Sequence, residues 1–120
     1  MSKKTLVLGA SLKTSRYSNL VIHRLVNHKQ NVVAIGLREG EVSGIKIETD
    51  LIDFDGIDTI TLYLNPVRQQ QYYEYIVSLQ PKKVIFNPGT ENPEFYNILK
   101  RANIEAEVAC TLVLLSTNQY

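Results

Sequence analysis

The sequence predicts an α/β fold: a three-layer, doubly wound sheet, mostly parallel, of about five strands, formed by residues 1–120 as one domain. Three observations carry this. Short runs rich in β-branched and aliphatic residues recur along the chain, and they are mostly continuous in apolar character, as strands buried on both faces of a parallel sheet are. Stretches of helical period lie between them. The length of 120 residues suits one core that folds without staples.

The strands are read in order. The first runs from Thr5 to Leu8, the second from Asn31 to Ile35, the third from Asp58 to Leu64, the fourth from Lys83 to Phe86, and a weaker fifth from Ala106 to Val108. Between the first two, Asn19 to His28 puts Val21, Ile22, Leu25 and Val26 on one side of a helix. Val67 to Leu79 does the same with Tyr72, Tyr75, Ile76 and Leu79, and Pro93 to Arg101 with Phe95, Ile98 and Leu99. Asn92-Pro93 has the residue types of a helix N-cap and first helical position. The segment from Arg38 to Asp58, with Gly40, Gly44 and Gly56, breaks the rhythm. It is read as a long connection holding one short strand or helical turn in place of a full helix. Strand-helix alternation then implies right-handed crossovers with helices on both faces.

Composition removes several functions. Thirteen basic against twelve acidic residues leave a formal charge of +1, too little for the basic face that nucleic-acid binding uses. A single cysteine, Cys110, forms no intramolecular disulfide, and no apolar run is long enough to span a membrane. The start Met1-Ser2-Lys3-Lys4 leads into a run that Gly9 interrupts, too short for a secretion signal. The expected compartment is the cytoplasm. His23 and His28, five apart on one helix, do not share a metal-binding face. Asp50, Asp53, Asp55 and Asp58 lack ligand spacing. Cys110 has no base placed beside it and reads as a small buried apolar residue. Tyr72, Tyr73 and Tyr75 read as half-buried packing, with a dimer contact as the alternative.

The first strand-turn-helix unit, Leu6 to Val26, is the candidate site. Gly9-Ala10-Ser11 ends the strand in small residues, so the backbone can approach a phosphate, and Ser18 or Asn19 serves as N-cap of a helix whose N-terminus offers free N–H groups. Lys13 and Arg16 add positive charge in the same loop. The same residues would also make a plain βα turn with solvated basic side chains. The dinucleotide fingerprint is incomplete: its later glycines are absent, and the second strand ends Ala34-Ile35-Gly36-Leu37-Arg38 without the acid that holds a ribose 2′-hydroxyl. Arg38 instead suits a ligand with an extra ribose phosphate, coenzyme A or NADP, or is a solvated loop residue. Asn65-Pro66 and Asn87-Pro88-Gly89 close the third and fourth strands on the same sheet edge, where ligands of open α/β sheets sit, and ordinary turn chemistry accounts for them equally well.

These residues together resemble the small bacterial CoA-binding proteins, single Rossmann-like domains similar to the CoA-binding domain of succinyl-CoA synthetase. The resemblance runs through Val7-Leu8-Gly9-Ala10-Ser11, Arg16-Tyr17-Ser18-Asn19, Ile45, Asp58, Asn65-Pro66, Lys83 to Gly89, Asn92 and Cys110. The chain departs from the family at Lys29, where a glycine is usual, at Ile35-Gly36-Leu37, where Val-Asn-Pro is usual, and at Ile85 and Asn87. What the resemblance implies is a CoA ligand held by Gly9, Ala10, Ser11, Lys13, Arg16, Ser18, Asn19, Gly36, Leu37, Arg38, Asn65, Pro66, Asn87, Pro88 and Gly89. No nucleophile motif or fixed carboxylate pair is present, so the expected function is binding of CoA or an acyl-CoA without catalysis. The alternatives are an NADP-binding protein or small CoA-dependent enzyme, and an interaction module that has lost its ligand. A homodimer or a protein partner is compatible with each.

Overall fold

In the computed structural model, which describes residues 3–120, a seven-stranded sheet is flanked by helices on both faces. Met1 and Ser2, the start of the stretch read as too short for a secretion signal, lie outside the described residues. The strands are β1 Lys4–Ala10, β2 Asn31–Gly36, β3 Gly40–Val42, β4 Ile45–Glu48, β5 Thr59–Leu62, β6 Lys83–Phe86 and β7 Glu105–Val108, in the spatial order β3-β4-β2-β1-β5-β6-β7. All neighbours pair in parallel except β3 with β4. The helices are α1 Tyr17–Asn27, α2 Pro66–Gln69, α3 Tyr73–Leu79, α4 Pro93–Arg101 and α5 Thr111–Ser116.

The fold class expected from the sequence holds, while the count of about five strands becomes seven. Both additional strands come from the Arg38–Asp58 connection, where Val42 and Ile45 flank a Ser43-Gly44 turn and make an antiparallel hairpin. Ser43 and Gly44 both take positive φ, 51° and 80°, the conformation of the tightest hairpin turns. Gly40 and Gly44, which read as loop punctuation, therefore belong to the hairpin, while Gly56 stays in the connection to β5. β4 pairs with β2 in parallel, with no helix crossing between them, and β3 lies beyond it at the sheet edge. The third strand stops at Leu62, two residues short of the expected end. The expected helix over Val67 to Leu79 is broken into α2, a 3₁₀ turn at Gln70–Tyr72 and α3.

Strand alternation divides the core. On one face Leu6, Leu8, Ile60, Leu62, Val84 and Phe86 meet Ile76 and Leu79 of α3 and Phe95 and Leu99 of α4. On the other, Val7, Ala10, Val32, Ala34 and Ile47 meet Val21, Ile22 and Leu25 of α1 and Leu115 of α5. That second face also carries buried threonines, and each hydroxyl is satisfied: Thr61 Oγ1 lies 2.9 Å from Thr111 Oγ1, Thr59 Oγ1 donates to Asp58 at 2.7 Å, and Thr5 Oγ1 meets the Tyr120 hydroxyl. Among the described residues no helix is long and apolar enough to cross a membrane.

Burial pushes the phenols of Tyr75 and Tyr120 up to about 12, with the carboxylates of Asp53 and Asp58, respectively, adding to the effect. Both groups hold their protons more tightly in the folded chain, so their contribution is complete below pH 10 and disappears as pH rises through 12. Thermal unfolding measured from pH 9 to 12 should show the melting temperature falling across this window, and Tyr75→Phe with Tyr120→Phe should flatten the slope.

Candidate functional site

The chain leaves β1 for β2 on one side and returns to β5 on the other, so the connections diverge at the carboxyl ends of β1 and β5. Such a switch point opens a crevice in a doubly wound sheet. Here it is a cavity of about 900 Å³, bounded by the segments that follow β1, β2, β5 and β6.

The wall made by β1 and β2 depends on two glycines. Gly9 takes φ +94°, and the register with β2 slips there, Leu8 facing Ile35 and Ala10 facing Gly36. This is a β-bulge, with Gly9 as the extra residue. It returns Ala10 to the face of Val7 and α1. A Cβ on Gly9 would stand 3.0 Å from the Tyr63 backbone, and one on Gly36 would stand 2.3 Å from the Ala10 carbonyl oxygen. The small residues therefore let the strand ends approach one another. The sequence reading assigned this closeness at Gly9 to a ligand, whereas the atoms nearest that position are the protein's own.

From Ser11 the loop is tied down locally. Ser11 Oγ accepts from the Lys13 amide at 3.1 Å, and the buried Asn19 side chain donates to the Ser11 carbonyl at 3.0 Å. The N-cap of α1 is Arg16, in extended conformation and without a side-chain cap bond. Ser18 and Asn19, expected as caps, lie inside the first turn and are buried because the chain enters the helix two residues earlier than the apolar stripe suggests. The Tyr17 and Ser18 amides, at the first two helical positions, have no intrahelical acceptor, and both residues border the cavity.

The opposite wall is built on amide side chains, exposed at Asn65 and buried at Gln69, Asn87 and Asn92. Asn65 caps α2, its Oδ1 accepting from the Arg68 amide at 2.9 Å, with Pro66 at the first helical position. Gln69, fully buried, donates to the carbonyls of Leu64 and Thr90, each at 2.8 Å, and accepts from Asn92 at 2.9 Å. It thereby ties the segment after β5 to the segment after β6. Asn92 is the cap of α4, accepting from the Phe95 amide at 3.2 Å as its sequence context predicts. Pro88-Gly89 forms the turn after β6, with the Thr90 amide donating to the Asn87 carbonyl at 3.0 Å and Gly89 at φ +92°, the residue choice of a type II turn. The Asn87 side chain faces inward, donating to Thr61 Oγ1 and the Leu62 carbonyl and accepting from the Thr111 amide, at 2.7, 2.8 and 2.9 Å. Burial holds the Tyr63 phenol protonated well above its usual range.

Of the candidates named from sequence, Gly9, Ala10, Ser11, Lys13, Arg16, Ser18, Gly36, Leu37, Arg38, Asn65, Pro88 and Gly89 line the cavity. Asn19, Pro66 and Asn87 do not: Asn19 and Asn87 are spent on holding the backbone, and Pro66 starts a helix. Cys110 is half-buried at the start of α5 and is absent from the lining. The sequence reading missed Leu12, Ser15, Tyr17, Ile35, Tyr63, Leu64, Arg68, Tyr72 and Thr90. Arg68 was detectable, since Asn65-Pro66 starts a helix whose first turn must lie at the same edge.

The charge of the lining is of one sign. Lys13, Arg16, Arg38 and Arg68 are there and no Asp or Glu is, although basic and acidic residues are nearly equal in the chain. Among the described residues, ion pairs engage Lys46, Lys82 and Lys83 instead. A cleft of uniform positive sign concentrates anions. A smaller hollow of about 210 Å³ beside β2 and β4 is lined by Val32, Val33, Ala34, Ile45 and Phe54, with Lys46 and Glu48 paired at 3.3 Å so that their charges cancel.

The switch-point cavity, the glycine-shaped first turn and its surplus of cations define a Rossmann-like domain for a nucleotide-like ligand. The chain belongs to the family described as CoA binding domain, which matches residues 3–116. Solved structures agree. The crystal structure of an uncharacterized protein is 47% identical with a TM-score of 0.97, covering 100% of this chain and 99% of that chain. A hypothetical protein from Pyrococcus horikoshii OT3 is 25% identical with a TM-score of 0.86, over 98% of this chain and 84% of that one. A Thermus thermophilus protein, 22% identical with a TM-score of 0.87 over 99% and 91%, shares the fold. No curated protein matches the chain.

Two substitutions test this construction. Gly36→Ala should lower stability by about 1–3 kcal/mol, the usual cost of overpacking, measured by denaturant unfolding. Gln69→Leu should cost on the order of 3 kcal/mol by removing the donors to the Leu64 and Thr90 carbonyls and the acceptor of one Asn92 Nδ2–H. Hydrogen exchange should then show both segments opening together; protection lost on only one side would contradict the bridging role.

Proposed function

We propose that the protein binds coenzyme A or an acyl-CoA without transforming it, the phosphates lying at the first βα turn. The observation that carries this is the group of four cations, with no carboxylate among them, around the cavity at the switch point. Family membership supports a CoA-binding role in general. The volume of about 900 Å³ lies within the range of small-molecule and cofactor sites.

Each part of the ligand has a counterpart. The free amides of Tyr17 and Ser18 at the start of α1, with Lys13 and Arg16, suit a pyrophosphate. Arg38, following β2 where dinucleotide folds contact the ribose, suits the ribose 3′-phosphate. The lining offers hydroxyls, amides and cations, and no histidine, cysteine or carboxylate, which favours binding over acid–base chemistry. Residence in the cytoplasm belongs to the same proposal.

Titration calorimetry with CoA, dephospho-CoA, NAD and NADP tests it. CoA should bind more tightly than NAD, and a concentration of about 100 times its dissociation constant should stabilise the fold by about 2.7 kcal/mol. Lys13→Ala and Arg16→Ala should each weaken CoA by roughly 1–3 kcal/mol, more at low salt. Arg38→Ala should penalise CoA more than dephospho-CoA. Stronger binding of NAD, or equal losses for both CoA forms in Arg38→Ala, would remove this reading.

A further inference from the structure

The cations around the cavity are divided unevenly between its two sides. Lys13 and Arg16 follow β1 and Arg38 follows β2, whereas Arg68 stands across the switch point, beyond β5. Coenzyme A carries all its phosphates on the adenosine half, and its pantetheine arm is uncharged. On the CoA reading, a ribose beside Arg38 sends the arm to the β5 and β6 side, and Arg68 is then a cation to which coenzyme A itself brings no anion.

Its surroundings are rich in donors. Asn65 Oδ1 accepts from the Arg68 backbone amide at 2.9 Å, so the end of that side chain left for a ligand is its NH₂. Tyr72, half-buried, lines the same side with a phenol that can donate. Guanidinium, amide and phenol lie within one short stretch of chain, Asn65 to Tyr72, and no acidic side chain joins them in the lining. The segment that presents them is anchored from beneath by Gln69, whose two bonds to the Leu64 and Thr90 carbonyls hold it against the turn after β6. A planar fork of donors with neutral donors beside it matches a carboxylate.

Resting on the CoA reading, we propose that Asn65, Arg68 and Tyr72 form a subsite for a carboxylate at the far end of the pantetheine arm. The ligand class is then a CoA thioester of a dicarboxylic acid. An uncharged acyl group of the same length would leave the guanidinium without its partner.

The test compares glutaryl-CoA with valeryl-CoA, which match in chain length and differ in the terminal carboxylate, by calorimetry on the parent protein, Arg68→Gln and Arg38→Gln. The parent should prefer glutaryl-CoA by about 10- to 100-fold, the range expected of charge-assisted hydrogen bonds. Arg68→Gln should bring that ratio close to one. Arg38→Gln should weaken both thioesters and keep the ratio. Free glutarate titrated into protein saturated with CoA identifies the source of the carboxylate: Arg68-dependent binding of the free acid supports the subsite with a separate acid as its occupant. A ratio near one in the parent, or equal losses for both thioesters in Arg68→Gln, overturns the subsite and leaves CoA binding standing. Failure of every CoA form to bind the parent overturns the CoA reading and the subsite with it.

Discussion

The Ala10 carbonyl oxygen and Gly36 approach so closely that any side chain at position 36 would displace the end of β1. Much of the architecture around the cavity depends on this contact. The bulge at Gly9 turns the end of β1 so that Ala10 reaches Gly36, and it also directs the chain into the Ser11–Arg16 loop. Gly9 in turn leans on the backbone of Tyr63, at the far side of the switch point. Three strand ends are thus set by backbone contact, which is stiffer than contact through side chains with rotamer freedom.

The second half of the cavity reaches similar rigidity by different means. At the end of β5 and in the segments after β5 and β6, the carbonyls of Leu62, Leu64 and Thr90 accept from side-chain amides. Asn87 and Gln69 supply those donors from fully enclosed side chains. Satisfied networks of this kind specify one arrangement, because the alternatives leave polar groups buried and unpaired. The cations stand on a frame fixed by glycine packing on one side and by amide bridges on the other.

The sequence made the sheet legible because parallel strands buried on both faces are written as mostly unbroken apolar runs, and four such runs became β1, β2, β5 and β6, while the weaker fifth run became the exposed edge strand β7. The hairpin was harder to read. Gly40-Glu41-Val42 at the sheet edge and its neighbour Ile45-Lys46-Ile47-Glu48 are short and carry exposed charges, so periodicity had little to work with. The first turn and the sheet edge were recognisable from small residues, prolines and asparagines at strand ends. What could not be read was direction: an asparagine at a strand end can face a cavity or the interior. Asn65 and Asn87 look alike in sequence, yet Asn65 borders the cavity while Asn87 is locked between Thr61 and Thr111. That choice rests on the neighbouring β5 and α5, which are distant in the chain. The start of α1 was misplaced for a related reason, since Ser18 and Asn19 carry capping residue types but are drawn inward by the Ser11 carbonyl and the sheet.

Central placement of β1 has a consequence for how the chain folds. Its residue Thr5 pairs with Val32 on one side and Thr59 on the other, and its hydroxyl meets that of Tyr120. Contacts so distant along the chain must close large loops before they contribute, which slows folding relative to a helical domain of equal size. During synthesis the first strand emerges early and waits, apolar on both faces, until β5 has left the ribosome. In that interval unpaired apolar strand is exposed to aggregation, and the lysines at its start, Lys3 just before it and Lys4 its first residue, are the nearest charges to discourage pairing with a stray strand.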